Sequence, residues 1–177
     1  MDKKKASLKT REIVVFAMLA CIMFLSKLLM EWAPNIHLVG MLTVVYTLVY
    51  RKKALIPLYL YVFIFGLYYG FATWWVPYLY IWTVLWAVTM LLPRNMHKKR
   101  AVPVYMIVCG LHGLLYGVLY APAQALLFGL DFRGMLTWIA AGFPFDAIHA
   151  AGNFAAGVLV VPLKELLEKL EKGMAKA

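Results

Sequence analysis

Residues 144–163 read Pro-Phe-Asp-Ala-Ile-His-Ala-Ala-Gly-Asn-Phe-Ala-Ala-Gly-Val-Leu-Val-Val-Pro-Leu. The stretch holds one formal charge, Asp146, in twenty residues. As a helix it measures about 30 Å, the thickness of a bilayer's hydrocarbon core. Proline suits a first helical position, so Gly142-Phe143-Pro144 is expected to break the longer apolar run from Met135 and start this helix. Asp146, His149 and Asn153 then fall on one face, at i, i+3 and i+7.

The rest of the chain has the same character. Of its 177 residues, 64% are hydrophobic and 15% charged, against about 45–50% and 25% in soluble domains. A chain this short cannot hide so much apolar surface in its own core. A soluble enzyme, a disordered chain and a disulfide scaffold are excluded. Five further apolar spans are expected: Ile13 to Met30, Leu38 to Tyr50, Ala54 to about Phe71, Pro77 to Leu92, and Val102 to about Tyr120. The first exceeds the 7–15 residues of a signal-peptide core and reads as a retained span. Residues 121–143 read as a long outer connection of short surface helices.

The fold class is therefore all-α integral membrane, with six transmembrane helices in a single membrane domain, 1–177. It divides into a basic tail, 1–11, a bundle, 12–163, and a charged tail, 164–177. Five lysines and arginines lie in the first tail, three at 51–53, four at 94–100 and four from 164 onward, sixteen of the eighteen. With six spans all sixteen share one side, which the positive-inside rule makes cytoplasmic. Both termini are then inside. The net charge of +10 needs no nucleic-acid partner, since orientation and anionic lipid account for it.

The second span has only thirteen residues, about 20 Å. The loop Trp32–His37 must then dip toward the membrane, where irregular backbone survives only inside protein or along a cavity.

Ionisable groups in a span usually face a cavity or a partner. Two readings of Asp146, His149 and Asn153 stand: a ligand-binding stripe, or mutual satisfaction with Asp146 at a helix start. His112 and Tyr116, one turn apart, form a candidate opposite wall, continued by Tyr120. Tyr68, Tyr69, Tyr78, Tyr80 and Trp82 read as interfacial rings, a subset of which could sandwich a flat ligand. Lys27 and Glu31 read as a snorkelling pair. Ala17, Ala20 and Cys21 form a small-residue face on the first span. Cys21 and Cys109 read as small hydrophobes. No metal-ligand spacing, phosphate loop, dinucleotide fingerprint or nucleophile elbow occurs, and no catalytic residue, cofactor or metal is expected.

Several stretches carry a resemblance: Pro34-Asn35-Ile36-His37-Leu38-Val39, Tyr46-Thr47-Leu48-Val49-Tyr50, Gly66-Leu67-Tyr68-Tyr69-Gly70, Trp74-Trp75-Val76-Pro77-Tyr78-Leu79-Tyr80-Ile81-Trp82, and Phe143-Pro144-Phe145-Asp146-Ala147-Ile148-His149 with Gly152-Asn153-Phe154. Over residues 11 to 163 the chain resembles the substrate-binding S-components of energy-coupling factor (ECF) transporters, within a bacterial subgroup of unassigned ligand. The resemblance implies a vitamin-binding subunit of an ATP-driven importer in the cell membrane. Such a subunit captures its ligand at the outer face and docks on a membrane scaffold carrying two cytoplasmic ATPases. It implies scaffold docking through Ala17-x-x-x-Cys21, where Cys replaces the family's second alanine. It places the pocket at Trp32, Asn35, His37, Trp74, Trp75, Tyr78, Tyr80, His112, Tyr116, Asp146, His149 and Asn153. The rival expectations are a non-transport membrane scaffold subunit and a small proton-coupled carrier using Asp146 and His149.

Overall fold

The computed structural model describes residues 8–174. Lys3, Lys4, Lys5 and Lys176, counted above in the basic tails, lie outside them. Every regular element among the described residues is helical. The described residues form eight α-helices: α1 (Thr10–Leu29), α2 (Val39–Tyr50), α3 (Leu55–Tyr69), α4 (Tyr78–Leu91), α5 (Lys98–Leu114), α6 (Tyr116–Phe128), α7 (Phe132–Ala156) and α8 (Val160–Met174). Single 3-10 turns occupy Arg51–Ala54, Thr73–Trp75 and Gly157–Leu159.

Four helical stretches are long and apolar enough to cross a membrane: Thr10–Leu29, Thr73–Leu91, Lys98–Phe128 and Phe132–Met174. Large apolar side chains cover their outsides, among them Met18, Leu91, Leu126 and Phe145. A surface of that extent has no place in water.

Helix α2 is the exception in length and in setting. It has twelve residues, eleven of them buried, and packs against α1, α4, α5, α7 and α8. Its sequence is apolar all round, as an enclosed helix requires. The two polar residues that interrupt it are satisfied locally. The Thr43 and Thr47 hydroxyls donate to the carbonyls of Val39 and Thr43 at 2.8 and 2.7 Å.

Glycine sets the closest crossing, between α5 and α7. A Cβ at Gly113 would lie 2.9 Å from the Ala150 Cα, and one at Gly157 would lie 2.6 Å from the Met106 Cα. Backbones approach this closely only where side chains are missing.

One end of the bundle gathers the charges. Arg11 pairs with Glu171 at 3.1 Å, Lys98 with Glu165 at 2.7 Å, and Lys53 with Glu12. The Tyr50 hydroxyl donates to Glu171 at 2.7 Å. Arg51 and Arg94 donate to the carbonyls of Met90 and Val49 at 2.7 and 3.0 Å, closing the last turns of α4 and α2. The start of α1, the ends of α2 and α4, the start of α5 and all of α8 thus share one end.

The region after Tyr120 differs from expectation. Residues 121–143 are not a lid of short surface helices. Helix α6 continues to Phe128, reverses over Gly129, Leu130 and Asp131, and returns as α7 from Phe132. Gly129 takes the left-handed conformation that stops α6 (φ 67°). The Asp131 side chain accepts from the Gly134 N–H at 2.7 Å and caps α7. Pro144 therefore lies inside α7, twelve residues past its start, and not at a helix start. The proline removes one helical hydrogen bond, and packing against α5 and α6 on both sides of it keeps the helix going. Residues 164–174 are not a separate tail but part of α8, which follows α7 across the 3-10 turn Gly157–Leu159 and packs its apolar side on α2.

A candidate ligand-binding site

Six side chains from five segments converge on the side of α2 away from the charges. His37 ends the loop after α1, Trp82 belongs to α4, His112 to α5, Tyr116 to α6, and His149 and Asn153 to α7. The rings form a closed set. His37 meets His149 at 4.8 Å between centroids, His149 meets Tyr116 at 4.9 Å, Tyr116 meets Trp82 at 5.9 Å, and Trp82 meets His37 at 6.0 Å. His112 packs on Trp82 at 5.5 Å. Asn153 is 1% exposed, Trp82 1%, His149 4%, His112 6% and His37 7%.

What sets these residues apart is that their polar atoms have no partners. Seven buried side-chain nitrogen or oxygen atoms among the described residues lack a hydrogen bond. Six belong here: His37 Nδ1, Trp82 Nε1, His112 Nδ1, His149 Nε2, and both Nδ2 and Oδ1 of Asn153. A buried orphan costs about 1–3 kcal/mol, and native interiors hold only a few. Six in one place leave donors and acceptors that water or a ligand would have to answer. The His112 tautomer follows from geometry. Its Nε2 lies 3.2 Å from the Ile81 carbonyl, which can only accept, so Nε2 carries the hydrogen and Nδ1 of the neutral ring is an acceptor.

Gly40 on α2 completes the wall: a Cβ there would lie 2.9 Å from the Asn153 Oδ1. Ile36 packs on Gly152 and carries the loop inward, so that its second half enters the bundle at His37. Its first half does not. Trp32 is 82% exposed, and Asn35, half-buried, makes the reversal with a positive φ of 62°.

Asp146 is committed elsewhere. The helix breaks between α5 and α6 at Leu115, and Gly117 in the first turn of α6 is left with a free N–H. Both carboxylate oxygens of Asp146 accept from it, at 3.2 and 3.1 Å. Asp146 thus caps α6 from a neighbouring helix, where a negative charge also suits the helix dipole. A side chain at residue 117 would collide with that carboxylate.

The other expected pocket residues brace the aromatic end. The Trp75 Nε1 donates to the Val62 carbonyl at 2.9 Å, and the Tyr80 hydroxyl donates to the Leu119 carbonyl at 2.6 Å. Tyr78 stacks on Phe65 at 5.4 Å and meets Trp82 edge-on at 5.8 Å. Trp74 packs on Tyr78 at 5.6 Å, and its carbonyl accepts from Tyr120 at 3.2 Å. Of these four, Tyr78 touches the six-residue set, through Trp82.

On α1 the small residues separate. Ala20 is fully buried in the core, so it cannot meet a partner from outside, whereas Ala17 is half-buried and Cys21 exposed. Residues four apart share a face, and a residue three from one of them is rotated toward the next. Ala20 follows Phe16 and Met23 inward. Beside Ala17 and Cys21 runs an apolar groove of about 320 Å³ between α1, α2 and α8, lined by Met18, Ile22, Tyr46, Leu166 and Leu170 among others.

Sequence reasoning placed Trp82 only among the interfacial rings that could sandwich a ligand, and missed Gly40. Trp82 follows Tyr78 by one helical turn, the same signal that paired His112 with Tyr116, but an apolar ring does not announce an unpaired N–H. No family model, curated protein or solved structure matches the chain.

Proposed function

We propose that this chain is the substrate-binding membrane subunit of an ATP-driven importer of the ECF type, capturing a small vitamin-like nutrient at the outer face of the cell membrane. The observation that carries the reading is the closed set of His37, Trp82, His112, Tyr116, His149 and Asn153 with its six unpaired polar atoms. A scaffold subunit has no use for such a set, and unpaired atoms in a packed core are costly. The resemblance in sequence points the same way.

The topology belongs to this proposal. The chain crosses six times, through α1, α2, α3, α4, α5–α6 and α7–α8, with both termini inside. The charged end, with Arg11, Arg51, Lys53, Arg94 and Lys98, is cytoplasmic by the positive-inside rule. The ligand set then lies toward the outer face, near the belt of Trp74, Tyr80 and Tyr120.

Docking on the scaffold is assigned to the exposed side of α1, at Ala17 and Cys21, which borders the apolar groove. No nucleotide-binding motif occurs in the chain, so ATP hydrolysis is assigned to two partner ATPases. The test is isolation of the tagged chain from its native membrane. A scaffold and two ATPases should come with it, and Ala17→Trp should lose them while keeping ligand binding, because a bulky ring blocks close helix approach. Isolation of the chain alone, with transport intact, would replace this reading by that of a solitary carrier.

A further inference from the structure

Asn153 is the most demanding member of the set. Its carboxamide presents a donor, Nδ2, and an acceptor, Oδ1, side by side, and both are unpaired at 1% exposure. Gly40 presents no side chain that could answer either atom. A carboxamide edge is matched at two points by a ring edge that carries an acceptor next to a donor, which is how asparagine reads adenine.

Shape comes from the surroundings. Neighbouring rings among His37, Trp82, Tyr116 and His149 stand 4.8 to 6.0 Å apart between centroids. Aromatic faces and edges favour a flat guest. Charge comes from the remaining polar atoms. Trp82 Nε1 can only donate, and the Nδ1 of His112 accepts. His37 and His149 offer one free nitrogen each, whose role the tautomer chooses. These are partners for uncharged groups. A carboxylate guest would call for an arginine fork, and none of the six residues is an arginine or lysine. A cationic guest would call for a carboxylate in the set, and none of the six residues is acidic; Asp146 lies against Gly117 of α6.

We propose that the site binds a planar, uncharged nitrogen heterocycle, or a flat ring bearing a primary amide, that presents a hydrogen-bond donor and acceptor on neighbouring atoms to Asn153. This rests on the site being the substrate site of the importer subunit, and it narrows the class of nutrient carried.

The experiment uses the full chain purified in detergent and five probes, titrated by calorimetry. Uracil, adenine and nicotinamide carry the donor–acceptor edge, while benzoate and benzylamine are flat and charged. At least one of the first three should bind saturably, at least tenfold tighter than either charged probe. Asn153→Leu should weaken that binding tenfold or more, and Asn153→Asp, which keeps the shape and loses the donor, should also weaken it. The proposal is overturned if benzoate or benzylamine binds as well as the best neutral ring. It is also overturned if no neutral ring binds, or if Asn153→Leu leaves affinity unchanged. Isolation with ATPases is read separately. ATPases present with a preference for a charged probe would sink the ligand class and spare the importer subunit, while a neutral ring bound by a chain that recruits no ATPases would do the reverse.

Discussion

Around Glu171 the chain spends its charges on itself, with an arginine on one carboxylate oxygen, a tyrosine hydroxyl on the other, and arginines folded back onto the last carbonyls of α2 and α4. Around Asn153 there are as many polar groups, more deeply buried, and they leave six atoms unpaired where the charged end leaves one, the Nη1 of Arg51. Both ends bury polarity beside the same helix, α2. The contrast shows that burial of polar groups is not one phenomenon. At the charged end it joins helix ends; at the other, on the function proposed above, it lowers the stability of the empty protein in exchange for recognition.

Asp146 should break this contrast most visibly, because it sits at the recognition end and yet has its partner. Asp146→Leu strands the Gly117 N–H and removes a charged hydrogen bond worth about 1.5–3 kcal/mol. Unfolding in detergent should shift down by that amount, in the presence or absence of ligand. No shift would mean that Asp146 is not the cap of α6.

Asn153→Leu should move stability the other way. It replaces two orphaned atoms with an apolar group of similar size, and relief of their desolvation is worth about 1–3 kcal/mol. The empty variant should unfold at higher temperature than the wild type. A clear loss of stability would show that Asn153 is satisfied within the protein and that the two ends do not differ in kind.

Glu171→Ala should have the smallest effect. The Arg11 side chain is 43% exposed and that of Glu171 24%, and exposed pairs contribute about 0.2–1 kcal/mol. The ion pair's share of the loss is under about 1 kcal/mol and should shrink further in high salt; the Tyr50 hydrogen bond to Glu171 adds about 0.5–1.5 kcal/mol that salt does not remove. Lys98→Ala, with a side chain 71% exposed, is the control and should show no measurable change. A loss of several kcal/mol for Glu171→Ala would mean that the charged end carries more of the fold than its exposure allows.

Much of this arrangement was legible in the sequence, and what was not had definite causes. The ends of α1 to α4 followed from apolar runs bounded by Arg51-Lys52-Lys53, by Thr73-Trp74-Trp75 and by Pro93-Arg94. The α6–α7 hairpin does not show in the sequence because Gly142-Phe143-Pro144 reads as a helix break. Pro144 lies inside α7, and the reversal is made instead by Gly129 with Asp131 capping the next helix. His149 and Asn153 could be found from their spacing of four. The partner of Asp146 could not, since it is a backbone N–H freed by a helix break at Leu115, a residue with nothing unusual about it. Ala20 was grouped with Ala17 and Cys21 by size, and only the packing of α1 separates the side that faces Phe16 and Met23.

The enclosure of α2 also bears on how the chain is made. Twelve residues amount to about 18 Å of helix, while a segment that holds a bilayer by its own partitioning needs roughly 20 residues. In the six-span topology proposed above, α2 on emerging from the ribosome therefore has neither the length to stay in lipid nor the neighbours that later cover it. Its capture must wait for synthesis of α3, so that the two enter as a pair hinged at Arg51-Lys52-Lys53, or it must be held against α1 by the insertion machinery. Biogenesis of the site is then bound to the order of synthesis, because His37 and Gly40 reach their final places only after α7, nearly a hundred residues later in the chain, arrives to meet them.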